Sequence, residues 1–291
     1  MSSSISHARS PQQSPSELSE HVYARSKDYV LYQGDSLALM DQFADQTFDL
    51  IFADPPYFLS NGGFTCSGGK RAAVKKGDWD KSNGVEADHA FTSEWLKKCQ
   101  RLLKPTGTIW VSGTQHVIFS VGFAMQQLGY KLLNTVTWYK PNASPNLACR
   151  YFTHSTEILV WASPGSKGKL QHRFNYKDMK AENGGKQMRD VWALPKTGEE
   201  ELNDSGEGAL WTMTTAKPGE KTHGKHPTQK PLSLLSRIVD ACTEEDSLVL
   251  DPFCGSGTTG VAAVSKGRRF VGFDLDRTYL ELTKKRLDAA K

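Results

Sequence analysis

The four residues Asp54-Pro55-Pro56-Tyr57 put a carboxylate, two proline carbonyls and an aromatic face into one turn. Proline fixes φ and removes an N–H donor while leaving its carbonyl free, so this turn presents hydrogen-bond acceptors. Acceptors of that kind suit an exocyclic amine on a heteroaromatic base, whose lone pair is delocalised into the ring. Holding both N–H groups would localise the lone pair toward an incoming methyl group. Tyr57 offers a face on which an extruded base stacks, a contact of roughly 1–3 kcal/mol. Extrusion is the usual way for chemistry to reach a base inside a duplex. No cysteine adjoins the prolines, so no covalent nucleophile is implied. A surface turn is the bland use of the same four letters. The apolar run at 48–53 argues instead for the end of a buried strand.

A second constellation is Asp251-Pro252-Phe253-Cys254-Gly255-Ser256-Gly257-Thr258-Thr259-Gly260. Glycines between a strand and a helix let the backbone turn sharply and approach a ligand. Gly255, Gly257 and Gly260 fit G-x-G-x-x-G, and the lysine of a phosphate-binding loop is missing. Asp274 closes the next predicted strand, where a carboxylate can accept from both hydroxyls of a ribose. This layout serves NAD and S-adenosylmethionine alike. The amine-directed turn upstream selects the methyl donor.

These residues need a scaffold, and the sequence supplies one. Strands are predicted at 29–32, 48–53, 108–111, 132–139, 156–162, 247–250 and 270–273, with Ser36 as a candidate helix cap after the first. Helices are predicted at 92–103, 117–128, 231–242, 258–265 and 278–289. The alternation implies an α/β fold: a doubly wound, mostly parallel seven-stranded sheet. The close spacing of 132–139 and 156–162 suggests one antiparallel edge strand. Ligands bind outside the carboxyl ends of such strands. Asp35, Asp54, Asp251 and Asp274 all fall there, a pattern that core packing does not require.

Composition adds limits. The net charge of +4 permits a polyanionic partner without demanding one. Five scattered cysteines form no C-x-x-C pair, and the eight histidines show no H-x-x-x-H spacing, so no metal site or disulfide framework is expected and a reducing cytoplasm fits best. No apolar run is long enough to span a membrane. Residues 1–27 read as a disordered tail before a catalytic domain at 28–291. Two stretches do not fit the sheet: 59–86, glycine-rich with Lys70, Arg71, Lys75 and Lys76, and 163–224, with Lys167, Arg173, Lys186 and Arg189. Long loops in compact domains are usually functional or disordered. Solvated surface is the plain reading of the lysines. Trp192 and Trp211 read as buried anchors of the second insertion rather than base stackers.

Together, Asp54-Pro-Pro-Tyr57 and Asp251-Pro-Phe-x-Gly-Ser-Gly257 resemble the amino-methyltransferases of DNA, and the order, catalytic motif first, resembles their permuted β-group. Gly34-Asp35-Ser36, Lys225-His-Pro-Thr-Gln-Lys-Pro231 and the closing Tyr279 and Arg286 extend the match over most of the chain. The stretches 54–63, 76–80 and 146–157 are similar to DpnA-type adenine methylases of DpnII-like restriction systems. The resemblance implies a Rossmann-like methyltransferase fold, transfer from S-adenosylmethionine (leaving S-adenosylhomocysteine) to adenine N6 in double-stranded DNA, and a GATC target. It admits a homodimer and a cognate endonuclease acting separately. It assigns Asp54, Pro55, Pro56 and Tyr57 to the flipped base, and Asp35 and Ser36 to the cofactor's adenine side. Phe253, Gly255 and Gly257 would shape the methionine pocket, Asp251, Pro252, Ser256 and Thr258 would join them in binding the cofactor, and Asp274 would hold the ribose. Thr228 and Lys230 would meet the methionine carboxylate, a solvated lysine at a helix start being the alternative for Lys230. The 59–86 loop would cover the DNA, with Lys70, Arg71, Lys75 and Lys76 as DNA contacts, and the 163–224 insertion would recognise the target, with Lys167, Arg173, Lys186 and Arg189 as further DNA contacts. Cytosine-N4 enzymes of the same family more often carry serine at position 54. Amine methyltransferases acting on protein or RNA more often carry asparagine there and place the cofactor motif first.

Overall fold

A computed structural model describes residues 15–60, 64–67, 70–73, 77–140, 143, 145–165, 169–192, 216, 218–221, 223–224 and 226–290. In chain order the elements are α1 (Pro15–Glu20), β1 (Val22–Arg25), β2 (Tyr29–Gln33), α2 (Ser36–Asp41), β3 (Phe48–Ala53), β4 (Phe64–Ser67) and β5 (Lys70–Ala73). Then come α3 (Val85–Leu102), β6 (Leu103–Gly113), α4 (Ile118–Gln127), β7 (Lys131–Tyr139), β8 (Thr156–Ser163), α5 (Tyr176–Glu182) and β9 (Val191–Trp192). The chain closes with α6 (Leu232–Cys242), β10 (Leu248–Asp251), α7 (Thr258–Val264), β11 (Arg269–Asp274) and α8 (Arg277–Ala289).

The main sheet has the order β1-β2-β11-β10-β3-β6-β8-β7-β9. β2, β11, β10, β3 and β6 are mutually parallel. Such a sheet is apolar on both faces because helices cover both. β3 shows how: Leu50 and Phe52 join one cluster with Leu234, Leu235 and Ile238 of α6. Ile51 and Ala53 join the other with Trp95, Leu96 and Cys99 of α3 and Val121 and Met125 of α4. The period of two in the strand thus sends alternate side chains to opposite layers.

The seven expected strands are present, flanked by the short edge strands β1 and β9. The antiparallel strand expected at an edge is β8, and it lies inside, between β6 and β7. β7 follows it outward and is itself parallel to β9. The tail expected over 1–27 is in part structured, since β1 pairs antiparallel with β2; residues 1–14 lie outside the described part. α3 begins at Val85 rather than 92, because its first turns are polar and carry no apolar period. Asp88 there accepts from Ser82 Oγ and the Asn83 N–H, and Glu86 and Asp88 suit a helix N-terminus. Asp35, not Ser36, caps α2 through its carboxylate on the Ala38 N–H.

The insertions carry more structure than their composition suggested. β4 and β5 pair as a hairpin. α5 is tied to α6 by the Glu182–Arg237 ion pair. Trp192 is buried against Trp110, with the Arg237 guanidinium over its ring. Trp211 lies outside the described residues. No described helix is long and apolar enough to cross a membrane.

Candidate active site

Six strands bring polar residues to one edge of the sheet. β2 leads into Asp35, β3 into Asp54, β10 ends at Asp251 and β11 at Asp274, while β6 carries Ser112 and the antiparallel β8 starts near Glu157. A cavity of about 320 Å³ opens there, within the range of small-molecule sites. The predicted catalytic and cofactor residues line it except Pro55, Tyr57 and Gly257, and among the described residues none of the predicted DNA contacts does.

Asp54 is held from three sides. Its Oδ1 accepts from Ser112 Oγ at 2.6 Å and Tyr57 OH at 2.7 Å. Its Oδ2 meets Lys230 Nζ at 2.5 Å. Burial alone would raise its pKa, but the Lys230 charge and the three hydrogen bonds more than offset that and hold the carboxyl below its ordinary value. The site therefore presents an ionised acceptor. The Tyr57 phenol is pushed well up by burial and by the Asp54 and Glu157 charges, so it stays a donor. Its ring is only 6% exposed, with Lys230 Nζ 5.4 Å from the centroid. Trp79, 40% exposed, stands at the cavity wall and is the more open aromatic.

The turn itself is clamped by Asp80, which is fully buried. Asp80 Oδ1 accepts the Tyr57 N–H at 2.9 Å, and Oδ2 accepts Ser60 Oγ at 2.8 Å and the Leu59 N–H at 3.3 Å. Between them Phe58 takes φ 56°, in the left-handed region.

The glycine loop is pinned at both ends by Asp251, whose Oδ1 accepts the Phe253 N–H at 3.1 Å and Oδ2 accepts Thr259 Oγ1 at 2.5 Å. Burial raises Asp251 to about 7. Asp274 accepts the Gly255 N–H at 2.9 Å and the Asp276 N–H at 2.8 Å, and burial raises it to about 6. Gly257 has φ 69°, and a Cβ there would stand 2.4 Å from Thr283 Cγ2. Thr283 in turn donates to the Gly255 carbonyl at 2.8 Å. Arg286 donates to Ser256 O at 2.5 Å and Thr258 Oγ1 at 2.9 Å. Ser36 Oγ donates to the Pro252 carbonyl, joining the two halves of the site.

Lys230 differs most from expectation. Instead of standing free for a ligand carboxylate, its ammonium sits on Asp54, with Glu157 Oε2 3.9 Å away. His226 and Thr228 remain on the cavity wall, with His226 edge-on to Tyr279 at 4.3 Å. Sequence reasoning missed Ser112, Asp80, Glu157 and Trp79. Of these, Trp79 and Asp80 fell in a stretch already noted at 76–80 and Glu157 closed the one at 146–157, while Ser112 carried no signal.

The basic residues divide. Arg173 pairs with Glu244 at 2.7 Å, and its N–H bonds to Thr106 O at the amino end of β6. That is the edge away from Asp54, so the expectation of an Arg173 DNA contact is withdrawn. Lys186 and Arg189 are exposed after α5. Lys70 and Arg71 lie in β5, while Lys75, Lys76 and Lys167 lie outside the described residues.

A sequence profile described as "DNA methylase" matches residues 48–285. The chain is 48% identical over 266 residues to the type II methyltransferase M2.LlaDCHI of Lactococcus lactis subsp. cremoris, covering 91% of each. It is 47% identical over 267 residues to the type II methyltransferase M2.DpnII of Streptococcus pneumoniae, covering 92% of each. Among solved structures, the PvuII DNA methyltransferase (cytosine-N4-specific) aligns with TM-score 0.65 at 20% identity, over 90% of this chain and 86% of that one. The M1.HpyAVI–SAM complex aligns with TM-score 0.58 at 23% identity, over 89% and 99%.

Proposed function

Since the chain belongs to the DNA methylase family, we propose that it transfers a methyl group from S-adenosylmethionine to N6 of an adenine extruded from DNA. The observation that carries this reading is the ionised Asp54 carboxylate at the cavity wall beside Pro56. Its immediate neighbours are acceptors and donors rather than a nucleophile.

The cavity suits the cofactor on its own chemistry. The Asp274 carboxylate, fixed by two backbone N–H groups, offers its remaining lone pairs to vicinal hydroxyls. Phe253, braced edge-on by Trp95 at 5.6 Å, gives an apolar wall. The glycine loop has backbone where a side chain would block. His226 and Thr228 supply polar groups for a zwitterionic tail. Bound there, S-adenosylmethionine would supply an electrophilic methyl carbon on a sulfonium leaving group. Asp54 and a proline carbonyl hold the two N–H groups of the amine and turn its lone pair toward that carbon. The nitrogen then sheds its extra proton along the hydrogen bond to Asp54 and on to solvent. Ser112 and Tyr57 keep the carboxylate oriented throughout.

Likeness to the type II methyltransferase M2.DpnII supports a place in a type II system, and the resemblance of 54–63, 76–80 and 146–157 to DpnA-type methylases supports a GATC target, action in the cytoplasm and a cognate endonuclease acting separately. The test is mass spectrometry of nucleosides after incubation with DNA and labelled cofactor. N6-methyladenine is expected, abolished by Asp54→Ala. N4-methylcytosine without N6-methyladenine would overturn the adenine assignment.

A further inference from the structure

The segment joining β7 to β8 lies at the same edge of the sheet as Asp54, because β7 runs in the direction of β6 and β8 returns from it. It is a built loop. Asn146 Oδ1 accepts the Ala148 N–H at 3.0 Å, and its Nδ2 donates to Tyr151 O at 2.6 Å. Cys149 turns the chain at φ 51°. The His154 ring lies 5.3 Å from that of Tyr151, and its Nε2 is 3.2 Å from Gln115 Nε2 on the turn after β6.

What this framework presents is apolar and aromatic. Phe152 is 97% exposed, Tyr151 58% and Leu147 45%, with Arg150 exposed beside them. A phenyl ring left almost wholly in water contributes nothing to the core, and holding its loop in shape costs entropy. The loop also stands close to the chemistry. It runs directly into β8, where Glu157 is 3.9 Å from the Lys230 that holds Asp54.

The partner with matching chemistry is a duplex at the point where a base has been removed. Arginine suits its phosphates, and an aromatic side chain suits the gap, as apolar wedges between base steps do elsewhere. We propose that Phe152 enters the DNA stack at the position vacated by the extruded adenine, with Arg150 on a flanking phosphate. This rests on the base-extrusion reading given above.

The experiment compares kcat/KM of the wild type, Phe152→Ala and Phe152→Trp on three DNAs of one sequence. These are an intact duplex, a duplex with an abasic site opposite the target adenine, and the single strand. Phe152→Ala is expected to lose at least about 10-fold on the intact duplex and less than about 3-fold on the other two, where no pair has to be broken. Phe152→Trp, which keeps a large stacking face, is expected to recover most of the duplex activity. An equal loss on all three DNAs, or no loss on the duplex, overturns the wedge. So does a wild type that methylates the single strand but not the duplex, and that outcome leaves the adenine reading standing. A wild type that forms no N6-methyladenine on any of the three sinks the parent reading instead.

Discussion

Lys230 Nζ lies 2.5 Å from Asp54 Oδ2, an ion pair buried at the end of β3 by two residues far apart in the chain. Breaking such a pair from one side leaves an uncompensated charge, at a cost of about 3–5 kcal/mol. Burial is the largest influence on each partner. The pairing overrides it, lowering Asp54 and raising Lys230. Asp54 therefore contributes stability that is present above the ordinary carboxylate range and is lost as pH falls through its lowered native value. Lys230→Met is expected to raise the Asp54 pKa, to move the acid limb of the pH–rate profile to higher pH and to lower kcat. A profile whose acid limb stays in place would show that the lysine does not set the charge of Asp54.

Asp251 gives the opposite sign. Its native value of about 7 lies above the ordinary 3.8. Between those two values the native state holds a proton that the unfolded chain has released, so this group makes stability fall as pH rises across the window. Asp251→Asn keeps the size and can still bond the Phe253 N–H and Thr259. It is expected to shrink the difference in Tm between pH 5 and pH 8, measured by calorimetry.

Asp274, raised to about 6, lines the cavity and is the proposed ribose acceptor. As an acceptor for hydroxyls it is best when ionised. The affinity for S-adenosylhomocysteine is expected to weaken as pH falls through about 6 and to be flat above about 7, as read by titration calorimetry. A pH-independent Kd over that range would remove Asp274 from ribose binding.

Asp80 accepts three hydrogen bonds from the segment 57–60. Asp80→Ala leaves the buried Tyr57 N–H without a partner, at roughly 1–3 kcal/mol for each such group. The variant is expected to melt earlier and to lose kcat while keeping its affinity for S-adenosylhomocysteine, since the glycine loop is untouched. Equal loss of both would place Asp80 in the general core.

Gly257 combines φ 69° with only 2.4 Å of room toward Thr283. Gly257→Ala is expected to lose cofactor binding and stability together, and Thr283→Ser in the same chain to restore part of both by removing the methyl group in the way. No rescue would mean that the methyl group is not the deciding obstacle, leaving the backbone conformation and the Thr283 Oγ1 and Cβ atoms, 2.8 and 3.0 Å from the added carbon, to forbid a side chain.

Much of the site was legible because it sits where strands end. Asp54, Asp251 and Asp274 each follow a short apolar run, and the period of the strand fixes where the run stops. The glycine loop announced its own backbone needs. What could not be read was side-chain pairing across the sheet. Ser112 meets Asp54 because β6 pairs with β3 in one register, Ala53 against Val111. Glu157 reaches the cluster because β8 runs backward beside β6. The pairing of Lys230 with Asp54 was hidden because nothing in the sequence says that the start of α6 falls beside the end of β3. The place of Arg173 beside Glu244 was hidden for the same reason, since charge in a sequence does not say which edge of a sheet it will occupy.

The strand order has a consequence for how this enzyme comes into being. β2 and β3 are made first, yet β11 and β10, among the last segments synthesised, lie between them. A chain still emerging must leave two places open in the middle of its sheet. Contacts of such sequence separation form late and slowly. The half of the site proposed to hold the base and the half proposed to hold the donor meet only when those places are filled. An unfinished chain is thus inert, and a truncation before residue 274 is expected to leave no partial activity behind.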